Sequence, residues 1–340
     1  MAVMGFVRVA DVAAHAGVSP GTVSNYFHNP ARVAESTAER IRAAIDDLGY
    51  VPNDAARSLR RRESRTIGSL SFEVANPYSA EFVHMVGKEA RALGYAVLNA
   101  SSEGDPRLQA EQLDLYVRQR VDGVVMSPIG DVEEIASRMI EHGIPLVLMD
   151  AVSHAAPSIS YDDFEGGRIA AAHLIELGHR NIGFVGYSHI GIIDRRLAGV
   201  RKALGGVPGA ELVVYEFDAR TIAGGRRVGE KLAGLPAGER PTAVIAVNDL
   251  VAVGVLNGAF GKLRIPEDLA IIGFDDIEFA SESLVPLSSV ARPIDRFATR
   301  AVDMLHARIQ GVVPADDVSA EMLLPQLVVR DSTAGRPRVD

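Results

Sequence analysis

Two kinds of hydrophobic pattern run along the chain, and they change over near residue 65. Before that point apolar residues recur at helical spacing: Val9, Val12, Ala13 and Ala16 share one face, and Gly17 supplies the permissive backbone that stops the helix. Ser19 suits an N-cap and Pro20 a first helical position, where a missing N–H costs nothing, so a second helix is predicted from Pro20 to about Phe27 with Val23 and Phe27 buried. A third, from Ser36 to Leu48, places Ile41, Ile45 and Leu48 on one stripe and ends at Gly49. Two helices joined by a Gly-containing turn, with small polar residues on the outer face of the second, form the helix-turn-helix layout for reading a major groove, although helical hairpins also occur without that role. The stretch Asn53 to Leu59 reads as a further helix, capped by Asn53 with Asp54 near its positive end. It is shorter than the roughly 12–15 residues that hold a helix in water, so it is expected to order only when paired and docked.

From Thr66 onward short apolar runs alternate with amphipathic helices, the signature of parallel sheets covered on both faces. The candidate strands are IGSLSF, YAVLNA, GVVMSP, IPLVLMD, SISY, NIGFVGY, LVVYEF, AVIAV and LAIIGF. Helices are expected to begin near Tyr78, Pro106, Val132, Phe164, Asp194, Ala223, Leu250 and Asp295. The fold class is therefore α/β, two doubly wound halves behind a small helical headpiece. No Gly-x-Gly-x-x-Gly follows a strand and no P-loop occurs, so cradling of nucleotide phosphates has no support.

Composition narrows this picture. With 340 residues there is room for two or three domains, and 47% hydrophobic with 23% charged residues is ordinary for a globular chain. The absence of cysteine excludes disulfides, thiolate metal sites and cysteine nucleophiles. No metal site and no cofactor is expected. No run reaches the length of a membrane-spanning helix and the start lacks a secretory pattern, so a cytoplasmic location is expected. The net charge of −9 argues against a nucleic-acid partner until its distribution is considered. Residues 1–65 hold nine Arg against seven Asp and Glu, so the negative excess lies wholly in the remainder. Arg57, Arg60, Arg61, Arg62 and Arg65 cluster where the first segment ends, which suits either a solvated linker or contact with phosphates.

Open α/β sheets bind ligands beyond the C-terminal ends of their strands. The polar residues placed there are Asn76, Asp150, Asp162 or Asp163, Asn248, Asp249, Asp275 and Asp276. Carboxylates accept, amides do both and guanidinium donates through a rigid fork, a combination suited to a polyol or sugar; Asp and Asn are equally ordinary as turn and cap residues. Catalysis has little to stand on: His173, His179 and His189 lack HExxH spacing, no Gly-x-Ser-x-Gly elbow occurs, and Asp275 and Asp276 are adjacent residues that should point apart. His179 reads as a structural turn residue. The chain is thus expected not to be an enzyme; a sugar-binding transport protein, or a core that has lost DNA affinity, are the other readings.

The stretch VADVAAHAGVSPGTVSNYFHNPARV, followed by LGYVPNDAARSL, closely resembles the headpiece and hinge of the LacI/GalR family of transcriptional regulators, and RRLAG, AVNDLVAVG, IGFDD and PQLVVRDST extend the resemblance from about Val9 to Thr333. It implies a DNA-binding headpiece (1–52), a hinge helix and linker (53–62) and an effector-binding and dimerisation domain (62–340). That domain would be two periplasmic-binding-protein-like subdomains, about 62–160 with 292–322 and about 161–291 with 323–331. By resemblance, Ser19, Pro20, Gly21, Thr22, Ser24 and Asn25 lie on the recognition surface. His28, Arg32, Thr37, Tyr50 and Asn53 clamp the DNA backbone, Ala56 and Arg57 belong to the hinge contacts, and Leu59 wedges into a central base step in the minor groove. Better-known members carry larger hydrogen-bonding residues at Pro20 and Gly21 and an arginine at Asn25, so direct readout is thinner here. Asn can bridge adenine N6 and N7, which predicts adenine opposite Asn25, unless that side chain merely tolerates the groove wall. The implied effector residues are Asn76, Tyr78, Asp150, Arg196, Asn248 and Asp275. Ala219 and Ile294 stand where some sugar-binding members place aromatic rings, so a stacked hexose has less support. The implied partners are a near-palindromic double-stranded operator, a sugar-like small molecule and a second copy of the chain. The setting would be bacterial cytoplasm, at the nucleoid, and the protein a repressor. The tail after Thr333 lacks leucine heptads, so a dimer is expected.

Overall fold

The computed structural model describes residues 7–50, 63–186, 191–217, 220–314 and 316–334. The chain divides into a small unit, residues 1–64, and a large one, residues 65–340.

The small unit is three α-helices: α1 (Val9–Ala16), α2 (Pro20–His28) and α3 (Glu35–Leu48), with a short 3₁₀ turn at Pro30–Arg32. α1 and α3 each end on a glycine in the left-handed region, Gly17 and Gly49, where a side chain would be strained. Val12, Ala13, Ala16, Val23, Ile41, Ala44 and Tyr50 form the core. Phe27, Ile45 and Leu48, expected at its centre, are half-buried and pack around it.

The large unit holds two six-stranded sheets. In chain order its elements are β1 (Thr66–Ser71), α4 (Pro77–Ala92), β2 (Ala96–Ser101), α5 (Pro106–Gln119), β3 (Gly123–Met126), α6 (Val132–Glu141), β4 (Leu146–Met149) and β5 (Ser158–Tyr161). Next come α7 (Asp163–Glu176), β6 (Asn181–Val185), α8 (Gly191–Leu204), β7 (Glu211–Tyr215), α9 (Ile222–Ala233), β8 (Ala243–Ala246), α10 (Asp249–Ala259) and β9 (Ala270–Asp275). The last are α11 (Glu278–Ser281), β10 (Ser288–Ala291), α12 (Ile294–Ile309), β11 (Ala320–Leu323) and β12 (Gln326–Val328). The first sheet has the order β2-β1-β3-β4-β5-β11 and is parallel throughout, with Ile67 opposite both Val97 and Gly123. The second runs β7-β6-β8-β9-β10-β12, parallel except for its last edge, where Val290 faces Leu327 on an antiparallel β12. The chain passes from the first sheet to the second after β5, returns after β10, and crosses once more between β11 and β12.

The continuous apolar runs follow from burial on both faces. Alternate residues of β3 and β4 serve opposite sides: Val124, Met126, Leu146 and Leu148 pack with Leu113, Tyr116 and Met139, while Val125, Val147 and Met149 pack with Phe82 and Val86. β10, β11 and β12 were not among the predicted strands. Each is three or four residues long, and β10 is mostly Ser and Ala. Ser288 and Ser289 are nonetheless fully buried, because Ser332, Thr333 and Asp249 satisfy their polar atoms. In each sheet the strand order reverses once, between β1 and β3 and between β6 and β8, and the crevice at those strands' C-terminal ends is where such sheets hold ligands.

Candidate functional site

In the headpiece, Ser19 caps α2: its Oγ accepts from the Thr22 N–H at 3.1 Å and lies 2.9 Å from Thr22 Oγ1. Gly21, Ser24, Asn25 and His28 follow one another at helical spacing on the same side of α2. Ser19, Pro20, Gly21 and Arg32 are exposed, and Thr22, Ser24, Asn25, His28 and Thr37 are half-buried. Seven of these nine offer side-chain donors or acceptors at the surface, while Pro20 and Gly21 carry none. Tyr50 differs: it is a core residue, 7% exposed, with its ring centroid 6.2 Å from that of Phe27. The expected hinge residues Asn53, Ala56, Arg57 and Leu59 lie outside the described residues, as do Ala219 and His189.

In the large unit, one cavity of about 330 Å³ opens at the strand ends, within the usual size of a small-molecule site. Asn76, Tyr78, Asp150, Arg196, Asn248 and Asp275 all line it. The first three come from segments around the first sheet and the last three from segments around the second. Asn76 and Asn248 are helix caps as well, each giving its amide oxygen to a backbone N–H (Tyr78 at 3.0 Å, Val251 at 2.9 Å). Ordinary capping chemistry therefore fixes these two amides at the wall of the cavity.

The charged groups are ordered by one another. Arg196 is almost wholly buried; its Nε donates to Asp163 at 2.8 Å, its Nη1 to the Val247 carbonyl at 2.5 Å, and its guanidinium carbon sits 4.3 Å from the Phe274 ring centroid. Neither of the alternatives Asp162 and Asp163 lines the cavity. Asp162 caps α7, accepting from the Glu165 N–H at 2.9 Å, while Asp163 faces Arg196 and Arg195. Burial opposes ionisation of Asp163, but Arg196 and the neighbouring guanidinium groups outweigh it and hold its pKa below the usual carboxylate range. Asp275 and Asp276 do point apart: the first enters the cavity, the second bonds Arg330 at 2.6 Å. Asp150, Asp275 and Asp276 all have positive φ (54°, 97° and 54°), a strained conformation that the surroundings must hold in place. Asp249, fully buried, does part of this: it accepts from the Ile277 N–H at 2.9 Å and from Ser289 Oγ at 2.7 Å, and Ser289 Oγ in turn accepts from the Asp276 N–H. Burial pushes the Asp249 carboxyl pKa well up.

Among the cavity residues that reading the sequence missed are Phe72, Arg195, Arg220 and Arg292. Phe72 and Arg220 form a pair, with the guanidinium 4.6 Å from the ring centroid and its Nη2 3.4 Å from Glu73. Arg195 shares Asp163 with Arg196. Arg292 immediately follows β10, so identifying SSVA as a strand would have put it in the census of strand-end polar residues. Ile294 is buried at the start of α12; aromatic lining comes instead from Phe72, Tyr78, Phe82 and Phe297. His179 is buried, its Nδ1 2.9 Å from Thr242 Oγ1, and burial lowers its pKa to about 4. Among the described residues no group of three or more His, Asp or Glu could hold a metal, and no helix is long and apolar enough to cross a membrane.

Comparison with known proteins connects the two parts. Residues 8–53 match bacterial regulatory proteins of the lacI family, and residues 171–333 match a periplasmic binding protein-like domain. The chain is 31% identical over 338 residues to the HTH-type transcriptional repressor PurR of Photobacterium profundum, covering 95% of this chain and 98% of that one. Among solved structures it is similar to a lac repressor dimer bound to operator and the anti-inducer ONPF (TM-score 0.82, 26% identity, 97% of this chain and 100% of that one). It is also similar to a complex of the transcriptional regulator CelR with cellobiose (TM-score 0.68, 28% identity, 96% and 99%). With a capped helix-turn-helix in the small unit, a cavity at the strand ends of two wound sheets in the large one, and likeness along nearly the whole length, the chain belongs to the lacI family of bacterial regulatory proteins, DNA-binding transcriptional regulators with a ligand-binding core.

Proposed function

We propose that the chain acts as a dimeric repressor: α2 enters the major groove of a near-palindromic operator, and a small polar metabolite in the 330 Å³ cavity sets the affinity for that operator. The observation that carries the reading is the convergence of Asn76, Tyr78 and Asp150 with Arg196, Asn248 and Asp275, from around two separate sheets, on one cavity. A ligand touching both sets favours one relative placement of the subdomains, which is what a two-state switch needs. Ser19, Pro20, Gly21, Thr22, Ser24 and Asn25 form the groove-facing surface, with His28, Arg32 and Thr37 toward phosphates. Tyr50 reaches DNA at most through its hydroxyl, since its ring belongs to the core. Asn53, Ala56, Arg57 and Leu59 supply the hinge contacts. The relatives' DNA and sugar ligands support an operator and a sugar-like effector. A DNA target places the protein in the cytoplasm, at the nucleoid. No catalytic role is assigned: Asp163 and Asp249 are bonded to structural partners, and His179 lies against Thr242 through Nδ1.

The test has two arms. DNA selected by the full chain from a random pool should be palindromic, and its binding should weaken steeply with salt and disappear on deletion of residues 1–62. A thermal-shift screen of sugars and small metabolites should give a hit whose shift is lost in both Arg196→Ala and Asp275→Ala. DNA binding that survives the deletion, or a shift unchanged in both variants, would remove the corresponding half.

A further inference from the structure

Arg292 occupies an unusual place in the cavity. It lies on the segment by which the chain returns from the second sheet to the first, between β10 and α12, and is 5% exposed. Its Nη2 donates to Asp150 at 2.7 Å, at the end of β4 in the first sheet; its Nη1 donates to Asp275 at 3.4 Å, at the end of β9 in the second. The guanidinium carbon is 4.8 Å from the ring centroid of Tyr78 and 4.7 Å from that of Tyr161, so two aromatic faces cover the planar group. Tyr161 is itself fixed, its hydroxyl donating to the Pro293 carbonyl at 2.5 Å and its ring stacked 4.9 Å from Phe297. Arg196 lies 3.7 Å from the same Asp275 oxygen, so a continuous chain of charge, Asp163, Arg196, Asp275, Arg292, Asp150, crosses the cleft floor.

We propose that Arg292 is a resident cation of the effector site: by bridging Asp150 and Asp275 it positions the two halves of the cleft and determines specificity, keeping both carboxylates from cationic ligands and leaving the site to neutral or anionic ones. This rests on the cavity being the effector site. A planar fork is the group that can reach two carboxylates at once while lying flat between two rings; an ammonium cannot do both. Burial opposes its charge, but Asp150 and the other surrounding groups outweigh burial and keep Arg292 protonated. Removing it would leave two carboxylates facing a space of its own shape, which a small external guanidinium can enter.

Chemical rescue tests this on the full chain with no effector present. Arg292→Ala should melt on the order of 5–10 °C below the parent, because it strands buried charge. Millimolar methylguanidinium should restore part of the loss saturably, leave the parent unaffected, and do nothing for Arg292→Ala combined with Asp150→Asn. An unchanged melting temperature in Arg292→Ala, or the same response to methylguanidinium in variant and parent, would overturn the proposal. If Arg292→Ala does not fold, Arg292→Gln and Asp150→Asn carry the test: the chain has no cysteine, so spin labels attached at Glu111→Cys and Arg201→Cys report the distance between the subdomains cleanly. Both variants should broaden a distribution that is narrow in the parent, and an unchanged width in both would overturn the bridge. None of these readouts needs a known effector, so the outcome is separable from the loss of thermal shift in Arg196→Ala and Asp275→Ala.

Discussion

The geometry of the cavity depends on a backbone contact remote from any ligand, and Gly167→Ala isolates it. Gly167 lies in α7 and packs on α8: a Cβ there would sit 1.9 Å from the Arg196 carbonyl oxygen and 2.7 Å from its carbon. Ordinary contact begins at 3.4 Å, so the two helices would have to part by about 1.5 Å, and the obstacle is backbone that no rotamer change can move. Overpacking a core costs about 1–3 kcal/mol. The same separation pulls α8 from Asp163 at the start of α7, and losing the partner of a buried ion costs about 3–5 kcal/mol. A destabilisation of at least about 3 kcal/mol is expected, with urea denaturation of the full chain as the assay. At a slope of about 3 kcal/mol/M the midpoint should fall by about 1 M. Gly206→Ala is the control, since Gly206 has no neighbour within 4 Å and no positive φ, and its midpoint should hold or rise slightly. A Gly167→Ala midpoint within about 0.2 M of the parent would refute the claim that this glycine sets the spacing of Asp163 and Arg196.

Other expectations follow from the same structure. Asp163 has a lowered pKa in the fold, so its stabilisation is present above the unfolded carboxylate value near 3.9 and is lost as pH falls through the folded value; Asp163→Asn should be less stable at neutral pH and should flatten the acid limb of a melting-temperature profile. His179 works through the opposite ionisation. Its folded pKa of about 4 lies below the unfolded value near 6.5, so the neutral form is favoured by folding, its full contribution is present above 6.5, and stability declines as pH drops from there toward 4. His179→Gln should lose that slope, and an identical slope in parent and variant would exclude His179 as its source. Asn25→Arg should move the preferred base opposite that position from adenine to guanine in DNA selected from a random pool, by about 1–3 kcal/mol of discrimination, and an unchanged base would mean that Asn25 does not read the groove.

What the sequence determined by itself is local. The three headpiece helices were legible because each carries its own period and its own stop, and Ser19 with Pro20 and Gly17 with Gly49 act within one turn of the backbone they govern. Nine of the twelve described strands and eight of the nine described helices of the large unit could be read for the same reason: most of the strands lie in apolar runs, and helices buried on one face are periodic. Of the six anticipated cavity residues, Asn76, Asp150, Asn248 and Asp275 were visible because the turn after a parallel strand has a recognisable place in the chain, whereas Tyr78 and Arg196 lie within helices and were indicated only by the family resemblance.

The tertiary structure decided what depends on partners distant in sequence. β10 carries two serines in four residues and β11 and β12 are short edge strands, so all three exist as strands through pairing: Ser288 and Ser289 are buried because Ser332, Thr333 and Asp249 meet their hydroxyls and amides. Arg292 was invisible for the same reason, since its position at a strand end follows from a strand that only its neighbours define. The pairing of Asp163 with Arg196 needed α8 to bring the two together, and Tyr50 is buried with Phe27 beside it. Charge and hydrogen-bond complementarity between residues far apart in sequence, 142 positions for Arg292 and Asp150, leaves no periodic mark on the chain, and only the folded backbone brings such groups together.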